Sequence, residues 1–336
     1  MLRLPAEFVE RMRGVYERRT VCLTGGAGFI GGHLLDALFA LGARVRVIDD
    51  LSNSDGSHVG DLIDMDPERV RFVRGSILDE DALADAVQGA GLVLHLAAIG
   101  SVPRSMREPE RTWAVNATGT LRVLRAARRA GASRVVLAAS SSAYGGVAGT
   151  AVETMPPEAH SPYAASKLAA EQLCRAWSAG YGLSTACLRY FNIFGPRQPA
   201  DSAYAAVVPA FMRSALAGEP IRIDGDGLQT RDFTFVSNAV AATLLAGSSE
   251  SDLVGQVINV GCGASTSVLE LAHRIATACD VSDPEFDHGP ARSGDVRHSL
   301  ADVTRGSELI SYTPIVDLDD GLHETTAWYR QAMAQT

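Results

Sequence analysis

Lysine is nearly missing from this 336-residue chain: Lys167 stands alone beside 29 arginines. A composition that uses arginine everywhere else marks Lys167 as a place where a compact ammonium is needed and a planar guanidinium will not serve. Long apolar runs are missing too. No stretch is long enough to cross a bilayer as a helix. The first 18 residues mix Glu10, Glu17 and several arginines with apolar positions and have no continuous apolar centre. They read as an amphipathic leading helix rather than a signal peptide. The five cysteines, Cys22, Cys174, Cys187, Cys262 and Cys279, show no CxxC spacing. An odd number in mostly apolar surroundings fits buried thiols in a reducing cytosol, so a cytoplasmic protein is expected. The 8 histidines form no HxxxH pair and no His/Cys cluster, which argues against a metal site. Positive charge is in deficit. A net charge of −9 and a pI near 5.4 argue against nucleic acid as the main partner. Repeats, low-complexity segments and linkers are absent.

What is present is a large apolar fraction, 46%, at a mean hydropathy of +0.06. That is ample for one big α/β domain or two intimate ones. Short apolar runs at Val21–Thr24, Arg44–Asp49, Val70–Arg74, Leu92–Leu96, Arg134–Ala139 and Ser184–Arg189 read as strands. Helical stretches such as Thr118–Arg129 and Tyr163–Ala179 separate most of them. Such alternation predicts a Rossmann-type, doubly wound parallel sheet. After Tyr190 the pattern turns irregular, with Pro196, Pro199, Pro209, Pro220 and a Gly225-Asp226-Gly227 turn. The later part is expected to form a smaller C-terminal lobe woven back onto the sheet, with a cleft between. The boundaries expected are 1–190 and 234–264 for the sheet domain, and 191–233 and 265–336 for the lobe.

Gly25, Gly28 and Gly31 lie between the first strand and its helix in the pattern G-x-x-G-x-x-G. The first glycine permits a tight turn, the second lets the backbone approach a pyrophosphate, and the third allows close helix–strand packing. Asp49 ends the second strand, 18 residues after Gly31. An acid there can bind both hydroxyls of an adenosine ribose and repels a 2′-phosphate, which favours NAD over NADP. Ser161-Pro162-Tyr163-Ala164-Ala165-Ser166-Lys167 starts a helix, with Ser161 as cap and Pro162 in the first turn. Tyr163 and Lys167 then share one face at i and i+4. An ammonium near a phenol can lower its pKa, and a phenolate is a usable general base.

These residues resemble the extended short-chain dehydrogenase/reductase superfamily, specifically its nucleotide-sugar 4-epimerases. The resemblance runs over nearly the whole chain. It is carried by Thr24–Gly31, Asp49, His95-Leu96-Ala97-Ala98, Asn116, Ser140–Gly145, Tyr163–Lys167, Tyr190-Phe191-Asn192, Gly195–Gln198, Gly225–Gly227, Arg231-Asp232-Phe233 and Arg292–Asp295. Gly100–Ser105, Ala203–Ala206 and Gly294–Ser299 are most similar to the bacterial UDP-N-acetylglucosamine 4-epimerases, as is the leading helix.

The resemblance implies an isomerase that interconverts UDP-GlcNAc and UDP-GalNAc, and UDP-Glc and UDP-Gal beside them. It implies a transient 4-keto sugar and NAD that stays bound and is recycled. Tyr163 would take the C4 hydroxyl proton, Lys167 would lower the Tyr163 pKa and hold the nicotinamide ribose, and Ser140 would relay the proton. Ser140, Ser141 and Ser142 leave three adjacent hydroxyls for that last role, with Ser140 matching the family's register. The cofactor set it implies is Gly25, Gly28, Phe29, Ile30, Gly31, Asp49, Asn53, Ser76, Ile77, Leu96, Ala97, Ala98, Asn116, Ser140, Tyr163, Lys167 and Tyr190. The substrate set is Gly100, Ser101, Ser141, Ser142, Asn192, Gln198, Ala206, Val207, Arg231, Arg292, Asp295 and Ser299. Asn192 and Arg231 would hold the diphosphate, and Arg292 and Asp295 the uridine side. Ser299 would border the sugar ring, where a small residue leaves room for a 2-acetamido group. Ser76 replaces the family's usual aspartate at the adenine. A homodimer is implied by the same analogy, with no membrane or metal.

Two other readings compete. In a UDP-glucuronic acid 4-epimerase, Arg104 or the serine run could meet the carboxylate. A non-catalytic NAD-binding redox sensor would not need Ser140, Tyr163 and Lys167 together. Ser141 and Ser142 are neutral where related dehydratases and decarboxylases carry acids, which argues for simple epimerisation.

Overall fold

Seven strands lie side by side and parallel, the central ones buried on both faces. They are β1 (Thr20–Thr24), β2 (Arg44–Asp49), β3 (Val70–Arg74), β4 (Leu92–His95), β5 (Arg134–Ser140), β6 (Ser184–Tyr190) and β7 (Val254–Val260). Successive residues of β1 enter different cores: Val21 and Leu23 pack on one side of the sheet and Cys22 on the other. The computed structural model describes residues 4–147, 149–199, 206–291 and 296–334. Arg292 and Asp295 lie outside the described residues, as do Ala203, Tyr204 and Ala205.

The strand order is β7-β6-β5-β4-β1-β2-β3. The chain winds outward from β1 through β2 to β3, then returns to β4 on the other side of β1. The direction reverses between β1 and β4, and a crevice opens there at the carboxyl ends of the strands. Gly25 and Leu96 are the first residues beyond those two ends.

Strand positions read from the sequence agree with the structure to within a residue at each end. β7 is the exception, since it carried no clear strand signal. Gly255 takes φ 65°, and the pairing with β6 slips between Val254 and Gln256, so the strand's alternation is broken at its start. The helix expected from Thr118 begins at Gly119 and is preceded by a π-helical turn, Ala114–Thr118. The leading helix is Ala6–Tyr16. Its Phe8, Met12 and Tyr16 form one buried stripe, and the Tyr16 hydroxyl donates to Leu244 O at 2.7 Å in the helix Val236–Ser248.

Between β6 and β7 the chain leaves the sheet. Ile221–Asp224 pairs with Phe286–Gly289, and Thr230–Arg231 sits between Thr266–Ser267 and His298–Ala301. Thr150–Ala151, which follows β5, adds to the far side of His298–Ala301 and joins the two parts of the molecule. Asp232 fixes this junction. Its carboxylate accepts the amides of Cys262, Gly263 and Ala301 at 2.8, 2.9 and 3.2 Å, and burial pushes its pKa up to about 6. Among the described residues no helix is long and apolar enough to cross a membrane.

Candidate active site

A cleft of about 780 Å³ runs from the β1 turn across the carboxyl ends of β4, β5 and β6 to the strand His298–Ala301. Its first wall is the glycine turn. Gly25 takes φ 74°, and a Cβ there would stand 2.6 Å from the Ala97 amide nitrogen. A Cβ on Gly31 would meet Gly25 O at 2.0 Å, so the turn and the helix behind it touch only because both positions lack side chains. Gly28 caps the helix Phe29–Ala40 in an extended conformation. The amides that open this helix face the cleft, where an anion is welcome. Thr24 locks the turn to the neighbouring strand end, since its hydroxyl bonds to His95 Nδ1 at 2.7 Å and accepts the Ala97 amide at 3.1 Å.

Asp49 ends β2 on the same wall. Its carboxylate accepts from Ala27 N at 3.1 Å and Leu51 N at 2.9 Å, and burial raises its pKa against those two bonds. Asn53, Ser76, Ile77, Leu96 and Ala98 continue the wall. Ser76 is partly engaged in its own turn, accepting the Leu78 amide at 3.2 Å.

The floor carries the proton-handling groups. Ser161 caps the helix Pro162–Tyr181 by accepting the Ala164 amide at 3.1 Å, with Pro162 in the first turn. That start sets the phase that sends Tyr163 and Lys167 into the cleft. Ser140 stands beside the Tyr163 phenol and works to lower its pKa. Ser140 Oγ accepts the Ser142 hydroxyl at 2.9 Å and the Ser142 amide at 3.2 Å, so the serine run is ordered, with Ser140 next to the phenol.

One electrostatic expectation needs correction. Burial is the larger influence on Tyr163 and pushes its phenol above the ordinary value, and Ser140 works against it. Lys167 is itself buried, which brings its pKa down to about 8, and its ammonium donates to Ala138 O at 2.8 Å. The ammonium is engaged by a strand carbonyl, and desolvation decides the direction of the phenol's shift.

Tyr190 lines the floor with its hydroxyl bonded to Thr243 Oγ1 at 2.6 Å. Asn192 (φ 36°) donates to Asp232 O at 3.1 Å, and Arg231 Nη1 donates to Thr230 O at 2.7 Å. Both remain on the wall, with Gly100, Ser141, Ser142 and Ser299. Gln198 donates to Ile193 O at 3.1 Å, while its buried Oε1 finds no partner among the described residues.

Four of the residues singled out from the sequence are not on the wall. Asn116 is buried behind it. Its side chain accepts from Ile99 N at 2.8 Å and donates to Ile99 O and to Ser166 Oγ, tying the loop after β4 to the Tyr163 helix. Ser101 caps the helix Val102–Arg107 through the Arg104 amide. Ala206 and Val207 open the helix Val207–Ala217. Conversely, Tyr144, Val147, Arg111, Val296 and His298 face the cleft without having been assigned to it. Tyr144 sat inside the quoted Ser140–Gly145 run, and His298 beside Ser299. Arg111 carried no local signal, because the distant helix Pro109–Trp113 that brings it there cannot be placed from spacing. Among the described residues no group of three or more His, Cys, Asp or Glu could hold a metal.

The arrangement can bind a dinucleotide along the first wall and present a phenol and a serine hydroxyl to a substrate beside it. Comparison with known proteins agrees. The sequence profile of the NAD dependent epimerase/dehydratase family matches residues 21–261. A UDP-glucose 4-epimerase of Mycolicibacterium smegmatis is 38% identical over 92% of this chain and 97% of its own length. A UDP-N-acetyl-alpha-D-glucosaminuronate decarboxylase of Bacillus cytotoxicus is 33% identical, with 94% and 98% covered. The solved UDP-N-acetylglucosamine 4-epimerase of Methanobrevibacter ruminantium M1, in complex with UDP-N-acetylmuramic acid, superposes with a TM-score of 0.88 at 35% identity, over 95% of this chain and all of the other.

Proposed function

The chain belongs to the NAD-dependent epimerase/dehydratase family, and on that premise we propose that it is a UDP-sugar 4-epimerase whose main pair is UDP-GlcNAc and UDP-GalNAc, with UDP-Glc and UDP-Gal as a second pair. The observation that carries this reading is the placement of Ser140, Tyr163 and Lys167 together in a cleft whose far wall is the glycine turn. NAD fits that wall, because side chains on Gly25 and Gly31 would collapse the turn and because Asp49 stands where a ribose diol would reach it. When bound there, NAD supplies a reversible hydride acceptor for C4. Tyr163 accepts and returns the C4 hydroxyl proton, Ser140 holds that oxygen, and Lys167 binds the neighbouring ribose. Asn192 and Arg231 grip the diphosphate while the sugar turns. We assign the cofactor to residues 1–190 with 234–264, and the sugar nucleotide to 191–233 with 265–336.

The relatives' names span epimerase and decarboxylase chemistry, and the serine turn separates them. Ser141 and Ser142 follow Ser140 with no acid to assist elimination or loss of carboxylate. The uronic acid reading needs a donor for the sugar's carboxylate, from Arg104 or the serine run. Arg104 does not offer one, since it donates to Glu108 Oε1 and to Asn53 Oδ1, both at 3.2 Å. Separate incubation with UDP-GlcNAc, UDP-Glc and UDP-glucuronic acid, read by proton NMR of the C4 epimers, tests the assignment. We expect UDP-GlcNAc to turn over best; turnover of UDP-glucuronic acid alone would overturn it.

Two variants probe the walls. Ser299 lies on the strand that pairs with Arg231, and its carbonyl accepts the Asp232 amide at 2.7 Å. Only its side chain is free to change, so Ser299→Tyr fills the sugar end without breaking the strand. Overfilling costs ~1–3 kcal/mol, so kcat/KM on the acetylated pair should fall roughly 5–150-fold with the unacetylated pair largely spared. Equal losses on both pairs would remove Ser299 from sugar selection. Asp49→Ala removes a charged acceptor worth ~1.5–3 kcal/mol, so NAD should bind roughly 10–150-fold more weakly. Discrimination against NADP should shrink with it; calorimetric titration of both cofactors reads the change, and an unaltered NAD affinity would contradict the assignment.

A further inference from the structure

Behind the cleft floor lies a fully buried ion pair that proton transfer, as described above, does not use. Glu171 follows Lys167 by one helical turn, on the same helix as Tyr163. Arg189 of β6 donates to both of its carboxylate oxygens, Nε to Oε1 at 2.9 Å and Nη2 to Oε2 at 2.7 Å. The side chains are 4% and 1% exposed for Arg189 and Glu171. The Arg189 guanidinium lies over the Tyr144 ring, 4.4 Å from its centre. Tyr144 ends the serine turn that begins beside Ser140, and its hydroxyl donates to Asn259 Oδ1 of β7 at 2.7 Å.

The pair therefore joins the three segments that carry the reacting groups: the Tyr163–Lys167 helix, the Ser140 turn and the strand ending in Tyr190. Stability alone is a poor reason for such a pair. Desolvating two charges costs about as much as their attraction returns, and an apolar pair of similar volume often does as well. A bidentate, stacked arrangement one turn from a buried ammonium has a different use.

We propose that Glu171, oriented by Arg189, is a positioning residue that keeps the Lys167 ammonium charged beneath the cofactor groove. The inference rests on the catalytic reading of Tyr163 and Lys167. Lys167 has lost its water, and burial works to neutralise it. The charged and titratable groups around it are few. Glu171 on its own helix and Cys187 on β6 favour its charge, while His95 on β4 is a buried neutral imidazole held down at about 3 by burial and by Lys167. Tyr163 lies one turn before it and Ala138 O accepts its proton. Glu171 is the anion in that shell, and Arg189 fixes where it points.

The single lysine makes the test direct. NAD-loaded protein grown with lysine carbon-13-labelled at Cε carries its label at Lys167 alone, and its pH titration reads that group's charge without an activity assay. In Glu171→Gln the midpoint should fall by about one pH unit. The alkaline limb of kcat should follow it, with a loss of about fivefold at pH 8 that shrinks toward pH 6.5 while KM for the UDP-sugar holds. Because Glu171→Gln leaves a buried Arg189 half-partnered and can unfold, the double variant Glu171→Met/Arg189→Met serves as the second arm. Its thermal midpoint should recover, yet its Lys167 midpoint and alkaline limb should stay low. A Lys167 titration unchanged in the double variant, or a loss of kcat uniform across pH, would reduce the pair to packing and overturn the proposal. A moved titration with an unmoved rate profile would instead sink the catalytic reading of Lys167 and leave the charge placement standing.

Discussion

Tyr163→Phe should fold, retain NAD and lose at least ~10²-fold in kcat. The change deletes one hydroxyl from a buried ring. It strands no partner, because Ser140 keeps its bond to the Ser142 hydroxyl at 2.9 Å. What disappears is the group that accepts the C4 hydroxyl proton, and a positioned general base contributes typically 10²–10⁴-fold. Circular dichroism, absorbance of the retained nucleotide and a coupled epimer assay separate a catalytic loss from an unfolded one. Near-normal turnover would remove Tyr163 from the reaction.

The second large effect belongs to the lone lysine. Lys167→Arg preserves the charge but should still reduce kcat at least ~10²-fold. The ammonium is buried and donates to Ala138 O at 2.8 Å. A planar guanidinium is wider and needs acceptors in its own plane, which this fully buried site does not present. It also cannot lose its charge, so the variant's rate should lack the alkaline limb that a lysine near 8 gives. Full activity in Lys167→Arg would make the single lysine an accident of composition.

Much of this was legible in the sequence, for a local reason. The glycine turn, the Ser161 cap and the Tyr163–Lys167 spacing are each set within seven residues, where backbone geometry decides the outcome. Six of the seven strands were legible too, since a strand buried on both faces reads as an unbroken apolar run. What escaped depends on segments far apart in the chain. β7 is masked by its glycine bulge at Gly255. Asn116 looks like a cofactor ligand from its motif, yet a π-helical turn directs its amide to Ile99 and Ser166. Arg189 reads as one more arginine until β6 is laid against the Tyr163 helix and Glu171 meets it. Arg104, a candidate for a substrate carboxylate, is taken up by Glu108 and Asn53 across the groove.

The central claim is that the bond broken and remade at C4 is a C–H bond whose hydrogen never reaches water. UDP-GlcNAc carrying deuterium at C4, incubated in ordinary water with the protein and its own bound NAD, tests it most directly. Mass spectrometry and NMR of the UDP-GalNAc formed should find the deuterium retained in full at C4, because the same hydrogen leaves one face of the keto sugar and returns to the other. Wash-out of the label to solvent would mean deprotonation at carbon, and would contradict the account at its base.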